Sequence, residues 1–348
     1  MGTSITISPS VDVLPGGLFN PMIVTKDTFD NTLLSLPKTS EFIIDVETNG
    51  LDPYNMNQLC GIGLTNMSDS ATYYFPFRHQ SDEPNLSQSN LEALVAYINE
   101  HCKTLIGYNV KFDAKFLENE GINIDSMKLV DVLVMVRMTE PTTINQLSLT
   151  DTINRSYGEE AGQYDIDTKQ VLRKNKWNKD FSLSPPSVLG PYCIKDVEWT
   201  RRVYTDRLVK LEETKQTELF EFQCELTKTL YCMEKRGVPI NNQYAKVAHE
   251  KMIKRIADLK LKVYELAGQE FNISSPKQIG EIFNGMGVHS PARTGTGAEA
   301  WNEAVLVQLN NPLAGLIRQY RTLDKYRATY IEPYLDMPVL HTNFCNWG

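Results

Sequence analysis

Asp45 and Glu47 close an apolar run, Phe42-Ile43-Ile44, and the turn-forming segment Asn49-Gly50-Leu51-Asp52-Pro53 follows them. Side chains alternate along a strand, so the two acids share one face where the strand ends. Carboxylates placed so close repel each other unless a cation lies between them, and hard cations such as Mg²⁺ take oxygen donors of this kind. A second stretch leads from the apolar segment Thr104–Tyr108 through Asn109 to Phe112-Asp113. Asn109 suits a helix N-cap, with Phe112, Phe116 and Leu117 at helical spacing behind it. Asp113 then lies in the first turn, where the helix dipole favours an anion. In a third stretch, Pro191-Tyr192-Cys193-Ile194-Lys195-Asp196 opens a helix that continues through Trp199, Val203 and Leu208. Tyr192 and Asp196 are spaced i, i+4 and share a helix face. An acid there can complete a metal site, and a phenol beside it can orient a water. Each stretch alone reads as an ordinary capped or amphipathic element; their order makes them a set.

A strand-end acid pair, an Asn–Phe–Asp helix start and a Tyr-x-x-x-Asp helix together resemble the tyrosine-type DEDD exonuclease superfamily. Asp45–Pro53 resembles the proofreading domain of bacterial and phage family-A DNA polymerases, and the match spans residues 40–210. The resemblance implies an α/β, ribonuclease H-like domain, a mixed sheet with flanking helices. It also implies two Mg²⁺ ions, with Mn²⁺ able to replace them. Asp45, Glu47 and Asp196 would hold the water-activating ion, and Asp45 would bridge to the second, supported through water by Asp113. Tyr192 would orient the nucleophilic water, while Thr48, Asn109 and Phe112 would place the terminal nucleotide. The reaction implied is hydrolysis of the last phosphodiester of a DNA 3′ end, releasing nucleoside 5′-monophosphates. Lys174, Lys176 and Lys179 fall where the family borders the primer terminus, although by themselves they read as a solvated loop.

The elements that must carry these residues follow from periodicity. Strands are expected at Phe42–Val46, Cys60–Leu64 and Thr72–Phe75, a polar loop at His79–Gln88 and a helix near Leu91–Asn99. Asp131 opens another helix and is read as its cap. Residues 155–190 are expected as short helices and loops. Residues 1–40 read as a polar lead-in, with a turn at Pro15-Gly16-Gly17 and a strand around Met22-Ile23-Val24.

Beyond Leu208 the pattern is helical. A helix over Phe220–Met233 stops at Gly237, a residue suited to the C′ position. Asn242 is expected to cap a long helix to Ala267, whose apolar side carries Val247, Met252, Ile256, Leu259, Val263 and Leu266. Pro276 and Pro312 each start a further helix, the last running through Leu316, Tyr320, Leu323 and Tyr330. Met233–Ile240, Phe271–Gln278, Arg293–Gly297 and Arg321–Tyr326 resemble the thumb of family-A polymerases in order and spacing. That resemblance implies a DNA grip, with Lys277, Arg293, Arg321, Lys325 and Arg327 as candidate phosphate contacts alongside backbone N–H groups near Ser274-Ser275. Pro338–Phe344 resembles the approach to the polymerase palm, so palm and fingers are expected to be absent and polymerisation by this chain alone is not expected. The expected organisation is residues 1–40 lead-in, 41–212 exonuclease, 213–335 all-α thumb-like region and 336–348 truncated palm approach. A separate palm and fingers polypeptide is the partner this would imply, beside DNA 3′ ends.

The net charge of −8 is unevenly spread. Residues 1–220 hold 20 Lys and Arg against 30 Asp and Glu, and the remainder hold 15 against 13. The deficit sits with the carboxylates, where bound cations would offset part of it. Six cysteines without a C-x-x-C pair read as reduced thiols. No signal segment or membrane span is read, so a cytoplasmic location is expected. Two rival functions remain: a non-catalytic DNA-binding subunit of a split polymerase, and a free-standing RNase D-like RNA exonuclease. The thumb-like half disfavours the second, and the intact acid set disfavours the first.

Overall fold

The computed structural model describes residues 20–68 and 71–346. The turn expected at Pro15-Gly16-Gly17 lies outside these residues. The chain divides into two compact units, the first made from the described parts of Met1–Lys235 and Asn343–Gly348, the second from Arg236–Thr342.

In the first unit six strands form one mixed sheet. They are β1 (Asn20–Ile23), β2 (Glu41–Thr48), β3 (Leu59–Thr65), β4 (Ala71–Pro76), β5 (Thr104–Gly107) and β6 (Lys128–Asp131), in the order β1-β4-β3-β2-β5-β6. β2 is interior, antiparallel to β3 and parallel to β5. Alternation along β2 divides its side chains between two cores. Phe42, Ile44 and Val46 join a cluster with Leu94, Ile98, Leu105 and Phe116, while Ile43 joins Ile106, Val130, Val136, Val197 and Val203. Burial of both faces explains the nearly continuous apolar runs of β2 and β5.

The helices are α1 (Phe29–Ser35), α2 (Gln88–His101), α3 (Val110–Asn119), α4 (Val132–Thr139), α5 (Leu149–Tyr157), α6 (Gln163–Lys174), α7 (Pro186–Glu213) and α8 (Thr217–Arg236). In the expected lead-in, β1 overlaps the strand expected around Met22-Ile23-Val24 and pairs parallel to β4 at the sheet edge, while α1 is a helix that the sequence pattern did not signal. α7 begins at Pro186 rather than Pro191, because Pro185-Pro186 supplies the N-cap and a first-turn proline. Pro191 sits inside the helix.

The second unit is helical apart from a two-residue ribbon, β7 (Val238–Pro239) with β8 (Val339–Leu340). Its helices are α9 (Asn242–Ala267), α10 (Pro276–Gly285), α11 (Glu303–Gln308) and α12 (Pro312–Tyr326). The α9 cap is Asn241, whose side chain accepts the Tyr244 N–H, and not Asn242. Leu259 and Val263 of α9 are buried, whereas Val247 and Leu266 are exposed. Regular helix in α12 stops at Tyr326, short of Tyr330. Ser275 caps α10 as the Ser-Pro pair predicts, and Gly237 takes a positive φ of 67° after α8. Phe283 and Trp301 stack at 5.0 Å in the core of this unit. No helix among the described residues is long and apolar enough to cross a membrane.

Candidate active site

β2 presents Asp45 and Glu47 on the face that α7 covers, with Glu47 buried and Asp45 partly exposed. The β2–β3 register shifts between Glu47 and Thr48. Such a bulge bends a strand and re-aims the side chains next to it. Thr48 is buried, and its hydroxyl donates to the Gly50 carbonyl at 2.7 Å, fixing the turn beyond the acids.

Asp113 reaches the same strand from α3. Pairing of β2 with β5 ends at Ile43, leaving later N–H groups on that edge without a strand partner. The Val46 N–H, between the two acids, is taken instead by Asp113 Oδ1 at 3.0 Å. Asn109 occupies the N-cap position, but in the left-handed region (φ 66°, ψ 46°) and without a side-chain capping bond. Its backbone N–H donates to Asp131 Oδ1 at 2.9 Å. Asp131 does cap α4, through the Leu133 N–H at 3.0 Å, and therefore also holds the bend that starts α3. Phe112 is half-buried, packed on the first core with its ring 5.0 Å from Phe116.

α7 brings Tyr192 and Asp196, and α6 adds residues that sequence reasoning missed. Tyr164 donates to Asp196 Oδ1 at 2.5 Å, while Tyr192 donates to Asp165 Oδ1 at 3.1 Å. Asp165 is buried and paired with Lys169 at 2.8 Å. The Asp165–Lys169 spacing of i, i+4 was the available signal, but such pairs are usual on solvated helix faces. Cys193 was also missed; its thiol donates to Asp45 Oδ2 at 3.4 Å.

Charge accumulates in the site. Burial pushes the carboxyls of Asp45, Glu47, Asp113 and Asp196 well above their ordinary range, and repulsion among them pushes further. Lys169 partly offsets this at Glu47, and the Tyr164 hydroxyl partly offsets it at Asp196. No hydrogen bond from a described residue reaches the Glu47 carboxylate, which is 4% exposed. An all-oxygen set of four acids, short of donors and of positive charge, fits hard divalent cations. One donor atom each of Asp45, Glu47 and Cys193 lies within 4.8 Å of the others.

The remaining candidates are dispersed. Lys174, Lys176 and Lys179 are exposed on and after the end of α6. In the second unit Lys277 and Lys325 are exposed, and Arg293 donates to the Gly297 carbonyl at 2.9 Å. Arg321 donates to the carbonyls of Ile273 (3.1 Å) and Trp301 (3.0 Å), and Arg327 is paired with Asp324 and Glu332. The Ser274 N–H is bound to Asn272 Oδ1 at 2.9 Å and the Ser275 N–H to the Asn272 carbonyl at 2.9 Å.

Residues 21–212 match the family described as 3′-5′ exonuclease, and residues 242–346 match DNA polymerase family A. The chain is 29% identical over 315 residues to DNA polymerase I of Synechocystis sp., covering 86% of this chain and 31% of that protein. It is 22% identical over 333 residues to DNA polymerase DpoZ of Vibrio phage phiVC8, covering 87% and 50%. It therefore spans about a third of the bacterial relative and half of the phage one. A solved structure described as the POL domain of Pol1 from M. smegmatis, in complex with DNA primer-template and dNTP, aligns with a TM-score of 0.63. At 14% identity over 93% of this chain and 52% of that chain, this is a likeness of fold.

Proposed function

The chain belongs to the 3′-5′ exonucleases of the family-A DNA polymerases, and from that premise we propose that it trims DNA 3′ ends as a proofreading nuclease during replication. The observation that carries the reading is the convergence of Asp45, Glu47, Asp113 and Asp196 from three elements on one strand end. Divalent cations of the Mg²⁺ class, two of them in this reading and with Mn²⁺ an alternative, would be held by these acids and would stabilise the attacking and leaving oxygens of an in-line displacement.

The chain's own residues do the positioning. Asp45 and Glu47 are fixed by the strand, and Asp113 is fixed by its bond from the Val46 N–H. The Tyr164 hydroxyl orients Asp196. Asp165 holds the Tyr192 phenol, whose proposed task is to orient the attacking water. Burial also pushes the Tyr192 hydroxyl far up its scale, so it stays protonated and acts as a hydrogen-bonding guide rather than a base. In this reading Asn109, Phe112 and Thr48 would place the terminal nucleotide. The products would be nucleoside 5′-monophosphates.

The test is degradation of a 5′-labelled single-stranded DNA with Mg²⁺, beside a chelator control. A ladder shortening from the 3′ end is expected, lost with chelator and reduced at least about 10²–10³-fold in Asp45→Ala and Asp196→Ala, the scale of removing one preorganised charge-stabilising group. Shortening that persists in folded Asp45→Ala would overturn the assignment.

A further inference from the structure

A DNA strand that brings its 3′ end to Asp45, Glu47, Asp113 and Asp196 carries further phosphates past the same acids, and each is repelled until a cation meets it. α6 supplies one. Lys169 follows Asp165 by four residues, and its ammonium contacts both carboxylate oxygens, at 2.8 Å and 2.9 Å. The same Oδ1 accepts the Tyr192 hydroxyl at 3.1 Å, so ammonium and phenol meet on one oxygen. Tyr164, on the same helix, donates to Asp196. The stretch of α6 from Tyr164 to Lys169 therefore borders the acids, and the Lys169 charge offsets part of the repulsion at Glu47.

An exposed i, i+4 ion pair is ordinarily worth little and needs no functional explanation. This pair is lopsided. The Asp165 side chain is 7% exposed and that of Lys169 is 47% exposed. The carboxylate is committed inward to Tyr192, while the ammonium is held in place with part of its surface in solvent. An ammonium has three N–H donors, and two contacts to one carboxylate leave at least one of them open. A side chain anchored in this way loses less freedom on meeting a ligand than a free surface lysine does. Lys174, Lys176 and Lys179 are exposed and have no such anchor among the described residues.

We infer that Lys169 is a substrate-binding residue of the nuclease site, its ammonium donating to a non-bridging phosphate oxygen of the strand whose 3′ end lies at the acids. The inference rests on the exonuclease reading for the identity of that strand. The contact adds to the bond with Asp165 rather than replacing it, so Tyr192 keeps its acceptor while the strand is bound.

Cleavage of a 5′-labelled single strand by the full chain, with fixed Mg²⁺ and a salt series, tests this. Lys169→Met should raise KM about tenfold or more, the scale of one hydrogen bond to a charged group. Its kcat should stay nearly unchanged, as for a contact made equally in the ground and transition states. The slope of log kcat/KM against log salt should fall by about 0.7, the value for one phosphate on a single strand, and Lys169→Arg should restore it. The double variant Asp165→Asn/Lys169→Gln removes the buried acid together with its partner, leaves no unpaired charge, and should show the same loss of slope. Circular dichroism confirms the fold of each variant. A fall in kcat at unchanged KM and slope would overturn the inference, because Lys169 would then only support Asp165 and Tyr192. A full slope in both charge-removing variants would overturn it as well. Fluorescence anisotropy of the same strand, blocked at its last linkage by a phosphorothioate, separates this inference from the reading it rests on. A parent that cleaves, with a slope that Lys169→Met leaves unaltered, refutes the phosphate contact alone. A parent that never cleaves, yet binds the strand with a slope that Lys169→Met lowers by about 0.7, refutes the exonuclease reading alone.

Discussion

Asp131 shows how a single buried acid can build a site without entering it. It accepts N–H groups from Asn109 and Leu133, yet burial outweighs these bonds and raises its carboxyl from 3.8 to about 6. A raised folded value means that its contribution to stability is complete below about pH 4 and is lost as pH climbs to about 6. Asp131→Asn keeps an acceptor for the same bonds and removes the charge. In chelator, the stability of this variant relative to the parent should therefore rise by about 3 kcal/mol between pH 4 and pH 7. Urea denaturation at the two pH values measures it, and a difference that ignores pH would mean that Asp131 titrates normally. Tyr164 makes a second residue-level case. Tyr164→Phe removes the hydrogen bond that orients Asp196, so the Mg²⁺ concentration giving half-maximal cleavage should rise about 10- to 100-fold, with most of the rate regained at saturation. An unshifted midpoint would show that Asp196 needs no such support.

Among the elements, β2 and its acids were legible because an apolar run stopping in an Asn-Gly turn is a local signal. Asp113 was legible for the same reason, as an acid one turn into a strand-to-helix junction. The left-handed Asn109 was not, since what holds it is Asp131, at the end of another strand. The β2–β3 bulge leaves no mark in β2 itself, and α6 enters the site only by packing against α7. Where α7 meets β3, the fit is close enough to test. A Cβ on Gly63 would lie 2.7 Å from Cys193 Sγ and 2.8 Å from Val197 Cγ2. Gly63→Ala should thus cost about 1–3 kcal/mol as overpacking. Cys193→Ala, which vacates half of that contact, should recover part of the loss in the double variant. A double-mutant cycle reads the coupling, and strict additivity would mean that the helix had simply moved away.

For the whole chain, the division of charge and the state of each arginine decide how DNA binding should depend on salt. The balance of charge turns positive only after residue 220, and each phosphate contact removed should lower the slope of log K against log salt by about 0.9 on duplex DNA. The thumb-like resemblance places Lys277, Arg293, Arg321 and Lys325 in the same role, but their surroundings separate them. Lys277 and Lys325 are exposed, and among the described residues no hydrogen bond or ion pair holds their ammonium groups. Arg321 is half-buried and ties the Ile273 and Trp301 carbonyls together across the core formed by α9, α10 and α12. Burial lowers its guanidinium from the ordinary value, as expected for a charge committed to the protein rather than to solvent. The double variant Lys277→Ala/Lys325→Ala should accordingly reduce the salt slope by about 2 while leaving thermal unfolding in place. Arg321→Ala should do the reverse, costing about 1–3 kcal/mol through two orphaned carbonyls with little change of slope. Fluorescence anisotropy across a salt series, set beside urea denaturation of the same proteins, separates the two outcomes. A fall in slope for Arg321→Ala at unchanged stability would put its guanidinium on a phosphate, and would mean that DNA draws this side chain away from the carbonyls it holds in the free protein.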